Sequence, residues 1–160
     1  MGASQYALID IQTRAALSFW VNVYGRNVGV EHWLLAILGK DAGIAKVLAE
    51  GPKVTTFTVQ DTLREVIQSG ELPLAAVGDR RWTPGAVELL KRAAAIAAES
   101  GRPDEILRAD ILEALYESND PMVSLLLGGT FLIDRDTVIE KVRAAAAEAE
   151  AKAKALAAAS

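Results

Sequence analysis

The fold is decided by the stretch Val28–Ile37, VGVEHWLLAI, because its apolar spacing returns 78 positions later in Ile106–Leu115, ILRADILEAL. Most of the large apolar residues fall at matching places, and both stretches carry alanine at the ninth position. The same shift also pairs apolar residues and glycines farther along, namely Val47-Leu48 with Leu125-Leu126 and Gly51 with Gly129. A repeat of this length predicts two tandem units that bury their apolar faces against each other across a central seam.

The periodicity on both sides of these stretches is helical. Alanine is abundant, β-branched alternation is scarce, and apolar residues recur at spacings of three and four, which is typical of helices and leaves no convincing strand. The sequence therefore predicts an all-α fold. We expect two tandem pseudo-symmetric four-helix repeats that form one eight-helix bundle, with a helical C-terminal extension.

The expected domain boundaries follow from composition. A double-repeat domain is predicted over residues 1–147, with repeat one at about 5–68 and repeat two at about 83–147. The linker 69–82 is rich in Gly and Pro and has no period. Residues 148–160 consist almost wholly of Ala, Glu and Lys, which predicts a solvated helical tail or linker.

Helix starts are predicted from capping residues and apolar stripes. The first helical segment, Gln5–Tyr24, carries one apolar stripe with Ala16 and Trp20 beside it, made of Leu8, Ile11, Ala15, Phe19 and Val23. Later helices are predicted to begin at capping residues, namely Thr58 with Asp61, Thr83 before Pro84, Asp110 with Glu113, and Asp136.

Composition excludes several classes of function. The chain has 160 residues, enough for one ordinary domain, and 51% of them are hydrophobic, enough for a sizeable core. A net charge of -4 leaves no excess of cations for a phosphate backbone, so no nucleic-acid partner is expected. The absence of cysteine removes disulfides and thiolate chemistry and fits a reducing, cytoplasmic setting. No apolar run is long enough to predict a membrane anchor.

Residues for catalysis are largely missing, so no catalytic, cofactor-binding or metal-binding residue and no cofactor is predicted. His32 is the only histidine, which excludes a two-histidine metal site. Gly39-Lys40 is followed by Asp41 and lacks the upstream glycine of a phosphate loop. Because His32 falls in the first turn of a predicted helix and Asp110 matches it in the other repeat, we expect a local hydrogen-bonding or capping role.

These motifs resemble a known family. The segments Val30–Leu38, VEHWLLAIL, and Gly43–Leu48, GIAKVL, are similar to the repeat of Clp unfoldase amino-terminal domains, and Ala109–Leu115, ADILEAL, stands where the second repeat would carry its copy. The resemblance covers about residues 5–147. Trp33 and the Ala15-Ala16 pair followed by Phe19 are closer to the Clp-type ATPase of type VI secretion.

The resemblance implies a non-catalytic module that recruits a client or adaptor to an AAA+ unfoldase ring, as when the type VI relative captures a helix of the contracted sheath. The expected partner is a protein or peptide, such as an amphipathic helix or an adaptor protein, or the AAA+ ring itself. The alternative is a free-standing Clp-domain protein that regulates or scaffolds a Clp chaperone or protease complex.

Candidate partner-binding residues come from the resemblance and from the few aromatic side chains. In proteolytic relatives the glutamate of the Glu-His pair contributes to recognising phosphoarginine-marked substrates, and here only Glu31 could do so because Ala109 stands at the equivalent place. The aromatic candidates are divided between the first helix and the loops, namely Trp20, Tyr24, Trp82 and Phe131. For Trp20, filling the core is the competing interpretation.

Overall fold

The computed structural model describes residues 3–24, 27–69, 82–118, 120–127 and 135–159. Nine helices lie within these ranges: α1 (Ala3–Tyr6), α2 (Ile11–Tyr24), α3 (Val30–Lys40), α4 (Ala42–Glu50), α5 (Thr56–Ser69), α6 (Pro84–Glu99), α7 (Arg108–Glu117), α8 (Pro121–Leu127) and α9 (Arg135–Ala159). Apart from two isolated β-bridges, these residues contain no β-structure. The predicted all-α class is confirmed, with α2–α5 and α6–α9 as the two four-helix repeats.

Two isolated bridges display the pseudo-symmetry of the repeats. Ile9 pairs in parallel with Ile106, and Val28 pairs in parallel with Trp82. In each bridge, a residue just before the first helix of one repeat meets a residue just before the second helix of the other. The two bridges are therefore images of each other, and the repeats join across the central seam that the sequence predicts.

Helices α3 and α7 form the centre of the core. Every residue from His32 to Leu38 is buried, and Trp33 has no exposed surface. In α7, Ile111 and Leu112 are equally inaccessible. The stretches whose spacing recurs are thus the ones packed in the middle of the core.

The repeat does not follow one constant shift. Residues of α3 and α7 correspond at 78 positions, whereas the N-caps Asp10 and Thr83, which begin α2 and α6, lie 73 positions apart. Helix α6 has 16 residues against 14 in α2, and the connection after it has eight residues against five. A single sliding comparison of the sequence therefore misses the correspondence between α2 and α6.

The prediction of one helical segment over Gln5–Tyr24 is wrong, because the chain breaks between α1 and α2. Asp10 caps α2: its Oδ2 accepts the Thr13 N–H at 3.0 Å and its Oδ1 accepts the Thr13 hydroxyl at 2.7 Å. An N-cap residue has extended backbone, so the helix cannot continue through it. The apolar stripe runs past this break and conceals it in the sequence.

The other predicted caps give mixed results. Thr83 is confirmed, since its hydroxyl accepts the Ala86 N–H at 3.1 Å. Thr55 rather than Thr58 caps α5, and the hydroxyl of each of these two threonines accepts the backbone N–H of the other. Asp110 lies inside the first turn of α7 rather than before it. Likewise Asp136 follows Arg135, the first residue of α9.

Helix α9 supplies the predicted C-terminal extension. The first part of α9 packs on the core through the buried Val138 and Val142, whereas residues 146–159 are exposed on all sides of the helix. Lys154 Nζ lies 3.2 Å from Glu150 Oε1, an i,i+4 pair that favours helix. Among all the helices that the structure describes, none is both long and apolar enough to cross a bilayer.

Candidate protein-binding surface

An exposed apolar row runs along α2. Ile11, Phe19 and Val23 are 73%, 58% and 52% exposed, and the exposed Ala15 lies between them at the same four-residue spacing. We call this row, Ile11, Ala15, Phe19 and Val23, the α2 face. Three of the six large apolar side chains that are exposed among the described residues belong to it. Such clustering is typical of a surface that another molecule covers.

The apolar stripe noted in the sequence therefore points to solvent. The core side of α2 is a second, neighbouring set of residues, all buried: Thr13, Ala16, Leu17 and Val21. Because α2 is apolar around most of its circumference, its periodicity does not tell which side is inside. Arg14 is its only charged residue, and this lack of charge on an outer helix is the signal that could have identified the α2 face from sequence.

Open space lies beside the α2 face on α3. Gly39 is exposed, and a Cβ atom added there would meet no atom of the described residues within 4 Å. In the second repeat the corresponding helices, α6 and α7, enclose a groove of about 520 Å³ with Glu117 at the position of Gly39. At Gly39 the first repeat thus has no side chain, whereas the second repeat places the carboxylate of Glu117 at the equivalent position.

Equivalent positions of the two repeats carry apolar side chains in α2 and charged side chains in α6. With the 73-position shift, Ala15 and Phe19 correspond to Glu88 and Arg92, which line the groove of the second repeat. There the charges pair within the chain, because Arg92 Nε donates to Glu117 Oε2. One scaffold therefore presents an apolar face in the first repeat and a self-paired charged groove in the second.

Glu31 lies at the junction of the repeats, in the first turn of α3. Its side chain is only 16% exposed, and its carboxylate lies over Gly29, where a Cβ atom would collide with it. Burial, aided by the negative charge of Asp120, raises the pKa of Glu31 despite an opposing backbone hydrogen bond. The carboxylate is thus a recessed group at the surface of the junction.

His32 has the local role that the sequence predicts. Its Nδ1 accepts the Gly29 N–H at 2.9 Å, and Asp110 Oδ2 accepts the Leu107 N–H at 2.8 Å at the matching place in α7. The imidazole is buried, and the loss of hydration lowers the pKa of His32 to about 4. His32 is thus a neutral cap of α3.

Trp82 contributes to an aromatic cluster at the junction. Its ring centroid is 5.8 Å from that of Tyr6 and 5.7 Å from that of Trp33, and it is half-buried. Trp33 is fully buried, as its position at the start of α3 predicts. Such aromatic contacts stabilise the packing of the segments that carry them, so Trp82 packs against α1 and α3.

Of the five predicted partner-binding residues, the structure describes the side chains of three. Trp20 packs edge-on against Phe19 at 5.0 Å and so belongs beside the α2 face, whereas Glu31 and Trp82 lie at the junction. Tyr24 ends α2, but its side chain lies outside the described part of the structure, and Phe131 lies outside the described residues. Ile11, Phe19 and Val23 were not among the predicted binding residues.

The described acidic and histidine side chains do not assemble a metal site. Within those residues, no three His, Asp or Glu side chains are close enough together to hold an ion. His32 is committed to the Gly29 N–H, and Asp10 to Thr13 and Arg108. The exposed apolar surface on α2 is therefore the feature that best suits binding, and it suits a protein or peptide.

Comparison with solved structures shows the same fold. One structure, described as "Peptide from EAEC T6SS Sci1 SciI protein", has a TM-score of 0.56 and 19% identity, over 88% of this chain and 93% of that chain. Another, described as "Coevolution of the ATPase ClpV, the TssB-TssC Sheath and the Accessory HsiE Protein Distinguishes Two Type VI Secretion Classes", has a TM-score of 0.56 and 12% identity, over 90% and 87%. No curated protein sequence matches significantly.

A family comparison agrees with the repeat. The sequence model of the Clp repeat (R) N-terminal domain matches residues 22–128, about two thirds of the chain, and this range spans the central helices α3 and α7 of both repeats. Taken with the crossed bridges and the two four-helix units, this match shows that the chain belongs to the Clp repeat N-terminal domain family.

Proposed function

We propose that this protein is a non-catalytic recruitment module of a Clp-type AAA+ unfoldase and that it binds a peptide or helix of its client through the α2 face. The carrying observation is the row of exposed apolar side chains at helical spacing on α2. A partner helix with apolar residues at spacings of three and four would match this row, which is the usual form of helix-in-groove recognition.

The α2 face has enough apolar surface to support such binding. Complete burial of an isoleucine, phenylalanine or valine side chain contributes about 1.5–3 kcal/mol each, and Phe19, more than half exposed, lies within the row. Because Arg14 is the only charged residue of α2, the affinity should depend weakly on salt concentration. Binding through this face would therefore depend on shape and apolar area.

Two observations support the type of client and the absence of catalysis. One similar structure is described with a peptide of a T6SS protein, and the other with the ATPase ClpV and the TssB-TssC sheath, so a helical segment of a sheath protein is the proposed client. The chain's single histidine is buried as a neutral cap, which does not suit it to be a general base.

Phe19→Ser should weaken the binding of a sheath-derived helical peptide at least tenfold. Truncating a central aromatic contact commonly costs more than 1 kcal/mol, and tenfold corresponds to about 1.4 kcal/mol. The matched control is Phe57→Ser on α5, because Phe57 is also an exposed phenylalanine, at 67% against 58% for Phe19. Fluorescence anisotropy of the labelled peptide measures both affinities, with circular dichroism as the check on folding.

An unchanged affinity in Phe19→Ser, or an equal loss in Phe57→Ser, would remove the α2 face from the proposal. The first result would mean that the peptide binds elsewhere, and the second that any exposed phenylalanine contributes. We expect the control to keep the wild-type affinity within a factor of two, since substitutions outside an interface have small effects.

We propose Glu31 as a separate client contact, on the family resemblance and on its recessed position at the junction. Glu31→Gln keeps the size of the side chain but removes the charge, and should lower the affinity for a phosphoarginine peptide several-fold. The equivalent change in α7 is not available, because Ala109 stands there. Calorimetric titration of the phosphoarginine peptide into wild type and variant tests this contact. If the wild-type protein does not bind the peptide, the proposed role of Glu31 is wrong.

A further inference from the structure

Arg108 joins the second repeat to two helices of the first. Its Nε donates to Thr13 Oγ1 at 2.7 Å and its Nη2 to Asp10 Oδ2 at 2.9 Å, at the start of α2. Its Nη1 donates to the Lys40 carbonyl at 2.7 Å, at the end of α3. One guanidinium thus holds the N-terminal turn of α2 and the C-terminal turn of α3 together.

This contact breaks the pseudo-symmetry of the domain. The residue equivalent to Arg108 in the first repeat is Val30, which offers no donor to the second repeat. The cap residues differ as well, since the aspartate Asp10 corresponds to the threonine Thr83. The contacts of Arg108 with Asp10, Thr13 and Lys40, which we call the clamp, therefore have no counterpart at position 30 on the side of the charged groove.

The clamp lies directly beside the α2 face. Asp10 immediately precedes Ile11, the first residue of that face, and Lys40 immediately follows Gly39, where the surface is open. A planar guanidinium with several donors in fixed directions holds its acceptors more rigidly than a single ammonium does. The three bonds thereby set the separation of α2 and α3 at this end of the face.

We infer that Arg108 is a positioning residue for the α2 face: it holds Ile11 and the first turn of α2 against the end of α3, in the spacing that accepts the client. Binding through this face rests on the proposed function above. The clamp itself rests only on the contacts of Arg108 with Asp10, Thr13 and Lys40, so the two can be tested separately.

A distance measurement tests the clamp without any ligand. The chain contains no cysteine, so Gln12→Cys with Gly39→Cys introduces two spin labels at exposed positions that flank the Arg108 contacts. In the Arg108→Gln background we expect a longer and broader distance distribution, and in Arg108→Lys an intermediate one. Distributions that match that of the labelled parent would overturn the inference.

A binding measurement tests the consequence for the client. We expect Arg108→Gln to weaken the binding of the labelled sheath-derived peptide three- to tenfold, and Arg108→Lys to weaken it less. The exposed control Arg64→Gln should bind the peptide with wild-type affinity. A changed distance with unchanged affinity would overturn the positioning role. If the wild type binds no such peptide, the proposed function fails together with that role, while the distance measurement still decides whether the clamp exists.

Discussion

Asp110→Asn should lower the free energy of unfolding by about 3 kcal/mol at neutral pH, because it removes the charge that compensates two arginines. Removing one partner of a buried ion pair typically costs about 3–5 kcal/mol, and partial exposure of the arginines favours the lower end. Chemical denaturation followed by circular dichroism measures the change.

The geometry explains why this carboxylate matters. Asp110 has no exposed surface, and its oxygens lie 2.6 Å from Arg102 Nη1 and 2.8 Å from Arg143 Nη2. Arg102 comes from the connection before α7 and Arg143 from α9, so one carboxylate joins three segments. Burial alone would raise the pKa of Asp110, but hydrogen bonds from Arg102, the Leu107 N–H and Arg143 outweigh it and keep the pKa below its usual value.

The control for this prediction is Asp61→Asn. Asp61 pairs with Arg64 at 3.6 Å on the exposed side of α5, where both side chains are more than half exposed. Such surface pairs contribute about 0–1 kcal/mol. A loss in Asp110→Asn no larger than the loss in Asp61→Asn would show that the network does not stabilise the fold.

The second large effect is an acid-induced loss of stability from His32, amounting to about 3 kcal/mol by pH 4. Burial lowers the pKa of the imidazole from 6.5 to about 4 in the folded protein. The unfolded chain therefore takes up the proton first as the pH falls, and stability decreases from about pH 6.5 down to about pH 4. Protonation would also convert Nδ1 from an acceptor to a donor and break the cap on Gly29.

His32→Asn is the variant that isolates this contribution. The asparagine oxygen can still accept the Gly29 N–H, as Asp110 accepts the Leu107 N–H, but the side chain does not titrate. Urea denaturation at pH 7.5 and pH 4 should show a smaller acid loss in the variant than in the wild type. The raised pKa of Glu31 has the opposite effect, because protonation of this buried carboxylate increases stability as the pH falls. Glu31 is present in both the variant and the wild type.

Equal acid losses in the two proteins would contradict a buried neutral histidine. The folded imidazole would then take up a proton as readily as the unfolded one. Its environment argues against this, because Nε2 is buried and finds no hydrogen-bond acceptor among the described residues. A positive charge on the ring would be desolvated, with no hydrogen-bond acceptor at Nε2.

Sequence reasoning succeeded where a residue's role depends on its neighbours along the chain. The hydroxyl of Thr83 before Pro84 and the position of His32 three residues after Gly29 are local signals, and both caps are present. It failed at Asp10, because a cap inside a continuous apolar stripe resembles a helix interior. At Asp110 the predicted capping bond is present, because the carboxylate accepts the Leu107 N–H, but it does so from inside the first turn of α7. The ion pairs of Asp110 with Arg102 and Arg143 were not predicted.

The candidate surface depended on information that is not local. Trp20 and Trp82 are candidates by residue type and Glu31 by the family resemblance; the structure places Trp20 against Phe19 of the α2 face and Trp82 at the junction of the repeats. Which side of α2 faces water is a property of what packs on the other side. The contacts of Arg108 with Asp10 and Thr13 join residues 98 and 95 positions apart, which no periodicity can indicate.

The sequence by itself determined the all-α class, the two tandem repeats and the central place of α3 and α7, because a duplicated core must keep the same spacing of apolar side chains in both copies. Only the tertiary structure decided that Ile11, Phe19 and Val23 lie on an outer surface and that Arg108 contacts Asp10 and Thr13 in the first repeat. The physical reason is that the hydrophobic effect depends on the apolar area removed from water and not on direction. An apolar helix can bury either face, and the choice belongs to the neighbours that pack against it.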